Sequence, residues 1–171
     1  KDQNNFNLIA SILDDAAGEA FDKGAKLLGL GYPGGIEIDR ISKLGDRHFH
    51  SFPIAKLGDS LDFSFSGLKT SLKNYLDKNV NWEVNMNNIA SSYQEAIVQS
   101  LVNNIAKAVT EFDTKTILVC GGVACNSRLR KVVQENLSKY KIVFPSNEYC
   151  TDNGAMIAMR GIQKIIANKA E

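Results

Sequence analysis

From Phe6 the chain alternates, with Leu8, Ala10 and Ile12 apolar, and this period of two predicts a strand over 6–12. The period then lengthens. Ala16, Ala17, Ala20, Phe21, Gly24, Leu27 and Leu28 recur at helical spacing, with Asp14 placed to cap the helix and Gly29 to stop it. Gly29-Leu30-Gly31-Tyr32-Pro33-Gly34-Gly35 follows as a loop, where Pro33 fixes one φ and the glycine pair allows a turn of bare backbone. Ile36-Glu37-Ile38-Asp39 predicts the start of a short helix, and 43–62 is polar and irregular. Phe63 and Phe65 alternate as on a short strand. Ser66 is placed to cap a helix carrying Leu68, Leu72, Tyr75 and Leu76. After an asparagine-rich break around Trp82, a long amphipathic helix runs to about Phe112. Its apolar face is Ile89, Tyr93, Ala96, Ile97, Leu101, Ile105, Ala108 and Val109.

The pattern shortens again at Thr116-Ile117-Leu118-Val119-Cys120, a charge-free run that reads as a buried strand. Gly121-Gly122 permits a tight turn, and Asn126 or Ser127 can cap the helix through Leu129, Val132, Val133 and Leu137. A second apolar strand is predicted at Lys141–Phe144, ending at Pro145. A last helix runs to about Ala167 through Ile157, Ile162, Ile165 and Ile166, with Asp152 placed to cap it. Strands and helices alternate, so the fold class is α/β, and there are no internal repeats.

A length of 171 residues suits one domain, and 44% hydrophobic with 23% charged residues is a globular balance. The net charge of +1 gives no bulk attraction to nucleic acid or membrane, so any RNA binding must be local or shared with a partner. Cys120, Cys125 and Cys150 are odd in number, and two lie in or beside the apolar strand and turn. That suits reduced thiols in a cytoplasmic protein. No run approaches the roughly 20 apolar residues that span a bilayer. No leader is visible at Lys1-Asp2-Gln3-Asn4-Asn5, which lacks an initiator methionine and reads as a processed or cut end.

Candidate chemistry gathers at few places. The strand–Gly121-Gly122–helix unit is neither a phosphate loop nor the G-x-G-x-x-G fingerprint; alone it fits a bare turn as well as a nucleotide pocket. Asp14, Asp15 and Glu19 sit where a helix dipole favours carboxylates. Asp22 lies mid-helix, where capping does not account for it, and reads as a solvated face or a ligand contact. His48 and His50 are spaced H-x-H without a third ligand and read as an exposed loop or edge. Arg128, Arg130 and Lys131 read as a solvated helix face. Asp152 follows the carboxyl end of a strand, on the same edge as the glycine turn, where α/β sheets bind ligands.

Five segments, taken together and in this order, resemble one family. They are Asp14-Asp15-Ala16-Ala17-Gly18-Glu19-Ala20-Phe21-Asp22-Lys23, Tyr32-Pro33-Gly34-Gly35, Phe63-Ser64-Phe65-Ser66-Gly67-Leu68-Lys69, Gly121-Gly122-Val123-Ala124-Cys125-Asn126 and Thr151-Asp152-Asn153-Gly154-Ala155-Met156. The family is the TsaD-type tRNA N6-adenosine threonylcarbamoyltransferases, once labelled sialoglycoprotein endopeptidases. The resemblance implies an actin-like ATPase (RNase H-like) α/β fold. Residues 1–171 would form a single second lobe with a helical insertion at about 66–112, the first lobe being absent. It implies transfer of a threonylcarbamoyl group from threonylcarbamoyl-AMP to N6 of adenosine 37 in tRNAs reading codons that begin with A. By motif, Asp22 and Asp39 would bind the adenylate through ribose hydroxyls, Gly35 would bring backbone to the nucleoside, Asn126 would contact it, and Asp152 would ligate one divalent metal ion, Fe2+ or Zn2+. Glu19, Ser66 and Lys69 receive no assigned chemistry. TsaB-like and TsaE-like proteins would be partners, in the cytoplasm and without a membrane.

The family's two metal-ligating histidines, in an H-x-x-x-H motif of the first lobe, have no counterpart here, nor has its Ser-Gly-Gly-His-Thr phosphate loop. The expectation is a chain inactive alone, which needs histidines from the missing lobe. Two other readings stand beside it. One is another actin-like kinase or ATPase lobe. The other is a non-catalytic TsaB-like partner, which would not require Asp22, Asn126 and Asp152.

Overall fold

The computed structural model describes residues 6–169; the ends at 1–5 and 170–171, included in the single-lobe expectation, lie outside the described residues. Six helices and a two-stranded parallel sheet make an α/β architecture. In chain order they are α1 (Ala17–Leu27), α2 (Gly34–Ser42), α3 (Ser66–Lys78), α4 (Met86–Glu111), β1 (Thr116–Leu118), α5 (Ser127–Asn136), β2 (Lys141–Val143) and α6 (Gly154–Lys169). Strand β1 pairs with β2 in register Thr116–Lys141, Ile117–Ile142 and Leu118–Val143.

The long helix α4 is the spine. Its first half joins a core of Phe21, Leu28, Ile38, Leu72 and Tyr93, shared with α1, α2 and α3. Its second half joins Val102, Val109, Ile117, Val132 and Val133, shared with the sheet and α5. A one-faced amphipathic helix does not describe its start, because Ile89 through Gln94 are all buried. Ser91 and Ser92 are small enough to let neighbouring backbone close on the other sides, and Ser92 Oγ meets both His50 N, at 3.1 Å, and Asp46 O, at 3.3 Å. The His50 ring packs on Phe52 and Tyr75, with centroids 4.6 and 4.4 Å away.

Tyr93 reaches from α4 into α1, where its hydroxyl donates to Ala20 O at 2.9 Å. Burial, and then the nearby Asp15 carboxylate, push its pKa upward, so the phenol stays a donor. The ring lies against Gly24, and a Cβ there would fall 2.8 Å from Tyr93 Cζ. Gly24→Ala is therefore expected to cost about 2 kcal/mol of stability by overpacking, read as a lowered denaturant midpoint with an unchanged slope.

Several local expectations change. The 6–12 segment forms no strand; it makes one parallel bridge, Ile12 to Phe63, with Leu13 N–Phe63 O and Phe63 N–Ser11 O both at 2.9 Å. Alternation alone cannot make a strand without neighbours on its edges, and Phe6 and Leu8 are more than three-quarters exposed. For the same reason the 63–65 strand shrinks to that bridge. Strands β1 and β2 are shorter than the apolar runs that contain them. Helix α2 begins at Gly34, two residues before its apolar pattern.

Asp14 does not cap α1, whose N-cap is Ala16 with no side-chain bond. Its carboxylate turns to α3 instead. It accepts from Phe65 N at 2.8 Å, Ser66 N at 3.3 Å, Ser64 Oγ at 2.5 Å and Ser66 Oγ at 2.7 Å. Ser66 likewise does not cap α3 with its own side chain. The Ser64 hydroxyl first, and against the opposing effect of desolvation the Phe65 amide, Ser66 and Asp15 N–H, hold the Asp14 carboxyl well below its ordinary range. A depressed folded pKa contributes stability above the unfolded value near 3.9 and loses it as pH falls through the folded value. Asp14→Asn should therefore flatten the acid limb of the stability curve below about pH 4; superimposed curves for the two proteins would contradict this.

Candidate functional site

Both parallel strands end toward one edge, and the segments leaving them shape a cleft of about 870 Å³. After β1, Gly121 adopts φ +92°, open only to glycine at little cost, and Gly122–Cys125 makes a tight helical turn. After β2, Asn147 and Thr151 contribute from the turn before α6. The opposite wall is α1 and the start of α2, with Gly18, Phe21, Asp22, Gly35 and Asp39. Asp22, Gly35, Asp39 and Asn126, far apart in sequence, thus line one cleft. Its volume falls in the range of small-molecule sites, roughly 300–1,000 Å³. A larger groove, about 1160 Å³, runs between 54–62 and α4, but none of those four residues lines it.

Helices α1 and α2 approach closely because Gly34 lacks a side chain. A Cβ there would lie 2.7 Å from Asp22 Cα and 2.9 Å from Phe21 O. The Tyr32–Pro33 peptide before it is cis. Asp22 Oδ1 accepts from Gly34 N at 2.8 Å, so Asp22 caps α2 from the side of α1. Capping does account for Asp22, but of a different helix, which sequence spacing could not reveal. Its other oxygen has no hydrogen bond among the described residues.

Asp39, on α2, accepts from Ser127 Oγ at 2.8 Å and pairs with Lys43 Nζ at 3.3 Å. That contact ties the first wall to the start of α5. Asn126 is the N-cap of α5, its Oδ1 accepting from Leu129 N at 2.9 Å, as its position predicts. Its Nδ2 donates to Gln94 Oε1 on α4 at 2.7 Å. Beside this bond Arg128 forks onto Glu95, with Nε–Oε2 at 2.7 Å and Nη2–Oε1 at 2.9 Å. Arg130 bonds Ala124 O at 2.6 Å and Pro145 O at 2.9 Å, and lies 4.8 Å from the Phe144 ring centre. Arg128 and Arg130 are therefore not a solvated face; they fasten the glycine turn and the segment after β2 to the helices. Only Lys131 of the three is mostly exposed.

The sulfur of Cys125 lines the cleft and lies 3.6 Å from Asn147 O. Burial, and next the neighbouring Cys150 thiol, push its pKa up, so it presents a neutral wall. Cys120, Cys125 and Cys150 are all free thiols. Asp152 is exposed, one residue past Thr151, and does not itself line the cleft. It does not cap α6. Asn153 does, accepting from Met156 N at 3.0 Å. Among the described residues no three His, Cys, Asp or Glu side chains gather as a metal site. Sequence reading missed Gln94 and Lys43. Gln94 did carry a signal, a polar residue among the buried positions of α4.

A parallel pair with a cleft at its carboxyl edge is the arrangement in which open α/β sheets bind ligands. The profile of the tRNA N6-adenosine threonylcarbamoyltransferase (TsaD) family matches residues 1–159, and the chain belongs to that family of transferases. Proteins of this name from Anaeromyxobacter sp. and Thermosipho africanus are 48% and 46% identical to it, over 92% and 94% of this chain and 49% and 50% of their own lengths. The one from Mesoplasma florum is 42% identical over 95% of this chain and 53% of its own. The chain thus spans about half the length of the curated relatives it matches. Among the described residues no helix is long and apolar enough to cross a membrane.

Proposed function

We propose that this chain supplies the nucleoside side of a threonylcarbamoyltransferase that modifies N6 of adenosine 37 in tRNAs reading codons that begin with A. The observation that carries the reading is the convergence on one cleft of Asp22, Gly35, Asp39 and Asn126, four positions far apart in sequence that the family motifs assign to the adenylate. In this reading the chain is one lobe of an actin-like, RNase H-like fold, with α3 and α4 as its helical insertion. The first lobe adds the phosphate loop. The exposed apolar residues of α6, such as Ile157, Ile162 and Ile166, are compatible with such a neighbour. TsaB-like and TsaE-like partners, and a cytoplasmic setting, belong to the same proposal.

The threonylcarbamoyl-adenylate is a mixed anhydride, so the substrate brings its own activation. In the transfer the N6 amine forms a C–N bond at the carbamoyl carbon, the C–O bond to phosphate breaks, AMP leaves and the amine releases a proton. What remains for the protein is to orient and to exclude water. The backbone at Gly35 and the Gly122–Cys125 turn form two walls for a flat base. The unengaged oxygen of Asp22 and the remaining lone pairs of Asp39 accept ribose hydroxyls. Asp152, exposed one residue past the cleft-lining Thr151, fits a metal site as one oxygen ligand; histidines from the first lobe would complete it. The metal, Fe2+ or Zn2+, would supply Lewis acidity toward the transferred carbonyl.

The test is reconstitution. This chain joined to the first half of a relative should convert threonylcarbamoyl-AMP and tRNA to modified tRNA, and Asp152→Ala should abolish that. No product from the joined protein would overturn the assignment. Retained activity in Asp152→Ala would favour a partner role over a catalytic one. Phosphorylation of a small substrate by ATP without tRNA would favour a kinase.

A further inference from the structure

The hydrogen bond from Asn126 to Gln94 carries more than packing. Gln94 is 4% exposed and lies on α4, outside the cleft wall, while Asn126 lines the cleft. The Asn126 amide has only one orientation consistent with its neighbours. Leu129 N–H can only donate, so the atom 2.9 Å away must be the Asn126 oxygen. The nitrogen then faces Gln94, whose oxygen must be the atom that accepts at 2.7 Å. Two bonds at opposite ends of the carboxamide fix its plane. With one N–H given to Gln94, the second N–H is the donor left for a ligand.

We propose that Gln94 is a positioning residue for the nucleoside cleft: it holds the Asn126 carboxamide so that its second N–H meets an acceptor atom of the bound nucleoside. The inference rests on the nucleoside reading above. Without Gln94, the Asn126 amide keeps its helix-cap bond but loses the partner that fixes its nitrogen, and the donor is no longer held in one place. Glu95, next to Gln94 on α4, and Arg128, two residues beyond Asn126, clamp the same two helices and keep Gln94 and Asn126 in register.

The probe is adenosine, titrated into the chain and followed by NMR, with Gln94→Leu, Gln94→Glu, Asn126→Asp and the Gln94→Leu/Asn126→Asp pair. Asn126→Asp keeps the capping oxygen and removes the donor. Gln94→Leu should weaken adenosine about tenfold, roughly the loss of one well-placed hydrogen bond. Gln94→Glu, which keeps an acceptor oxygen, should stay within about threefold of wild type. In the Asn126→Asp background, Gln94→Leu should change affinity by less than about twofold, because the route through the amide is already gone. Equal losses in both backgrounds would overturn the proposal and leave Gln94 merely structural, with the nucleoside reading intact. No adenosine binding by the wild-type chain would overturn both. If circular dichroism shows Gln94→Leu unfolded, Gln94→Met carries the same comparison.

Discussion

Replacing Gly34 by alanine is expected to lower the unfolding free energy by about 3 kcal/mol and to abolish ligand binding at the cleft. The added Cβ would sit 2.7 Å from both Asp22 Cα and Ala25 Cβ, and 2.9 Å from Phe21 O. Two of these three neighbours are backbone of a buried helix, so no side-chain rotation relieves the clash. Helix α2 must move off α1. The bond from Gly34 N to Asp22 Oδ1 then breaks, and Gly35 and Asp39 leave the wall they share with Asp22. The neighbouring glycine provides the control. A Cβ at Gly35 would meet Phe21 only at 3.8 and 3.9 Å, ordinary contact distances. Gly35→Ala should fold with near wild-type stability while adding a methyl group at the cleft. Thermal or denaturant unfolding of the two variants separates them; equal stability would contradict this account of the α1–α2 approach.

Arg128→Met is expected to cost about 2 kcal/mol, because it leaves the Glu95 carboxylate half-enclosed and held only by Gln99 Nε2 at 2.8 Å. The figure stays below that for a fully buried pair, since the Arg128 and Glu95 side chains keep 19% and 14% of their exposure. Burial alone would raise the Glu95 pKa. The Arg128 hydrogen bonds, then Gln99 and the charges of Arg128 and Arg47, outweigh it and leave the carboxyl below its usual value. A lowered folded pKa stabilises above the unfolded value near 4.3, and that stability fades as pH falls through the folded value. In Arg128→Met both Arg128 contributions that oppose burial are gone, so the Glu95 pKa rises and protonation costs the variant less. The gap between the two proteins should be widest near neutral pH and narrow below about pH 4. A gap independent of pH would show that Arg128 stabilises by packing rather than by charge.

Much of the fold could be read from the sequence, because each long helix carries its own period and α5 carries its own cap at Asn126. Elements whose partners are distant in sequence could not be read that way. Asp14 sits where an N-cap belongs, yet its carboxylate serves α3, fifty residues on. Asp22 caps α2 across a helix–helix contact. The 6–12 alternation has the right period for a strand, but β structure needs a paired edge, and the described chain offers only Phe63. The site followed the same rule. Glycines and carboxylates of the cleft stand out by type, whereas Gln94 matters through a partner that only the packing of α4 on α5 brings near.

The central claim is that Asp22, Gly35, Asp39 and Asn126 form a nucleoside cleft. Its most direct measurement is a titration of the isotopically labelled chain with adenosine, read residue by residue. Shifts should concentrate at Gly35, Asp39, Val123, Asn126 and Ser127 and be reduced in Gly35→Val, whose side chain would fill the wall. Shifts confined to the 54–62 groove beside α4, or none at millimolar adenosine, would contradict it.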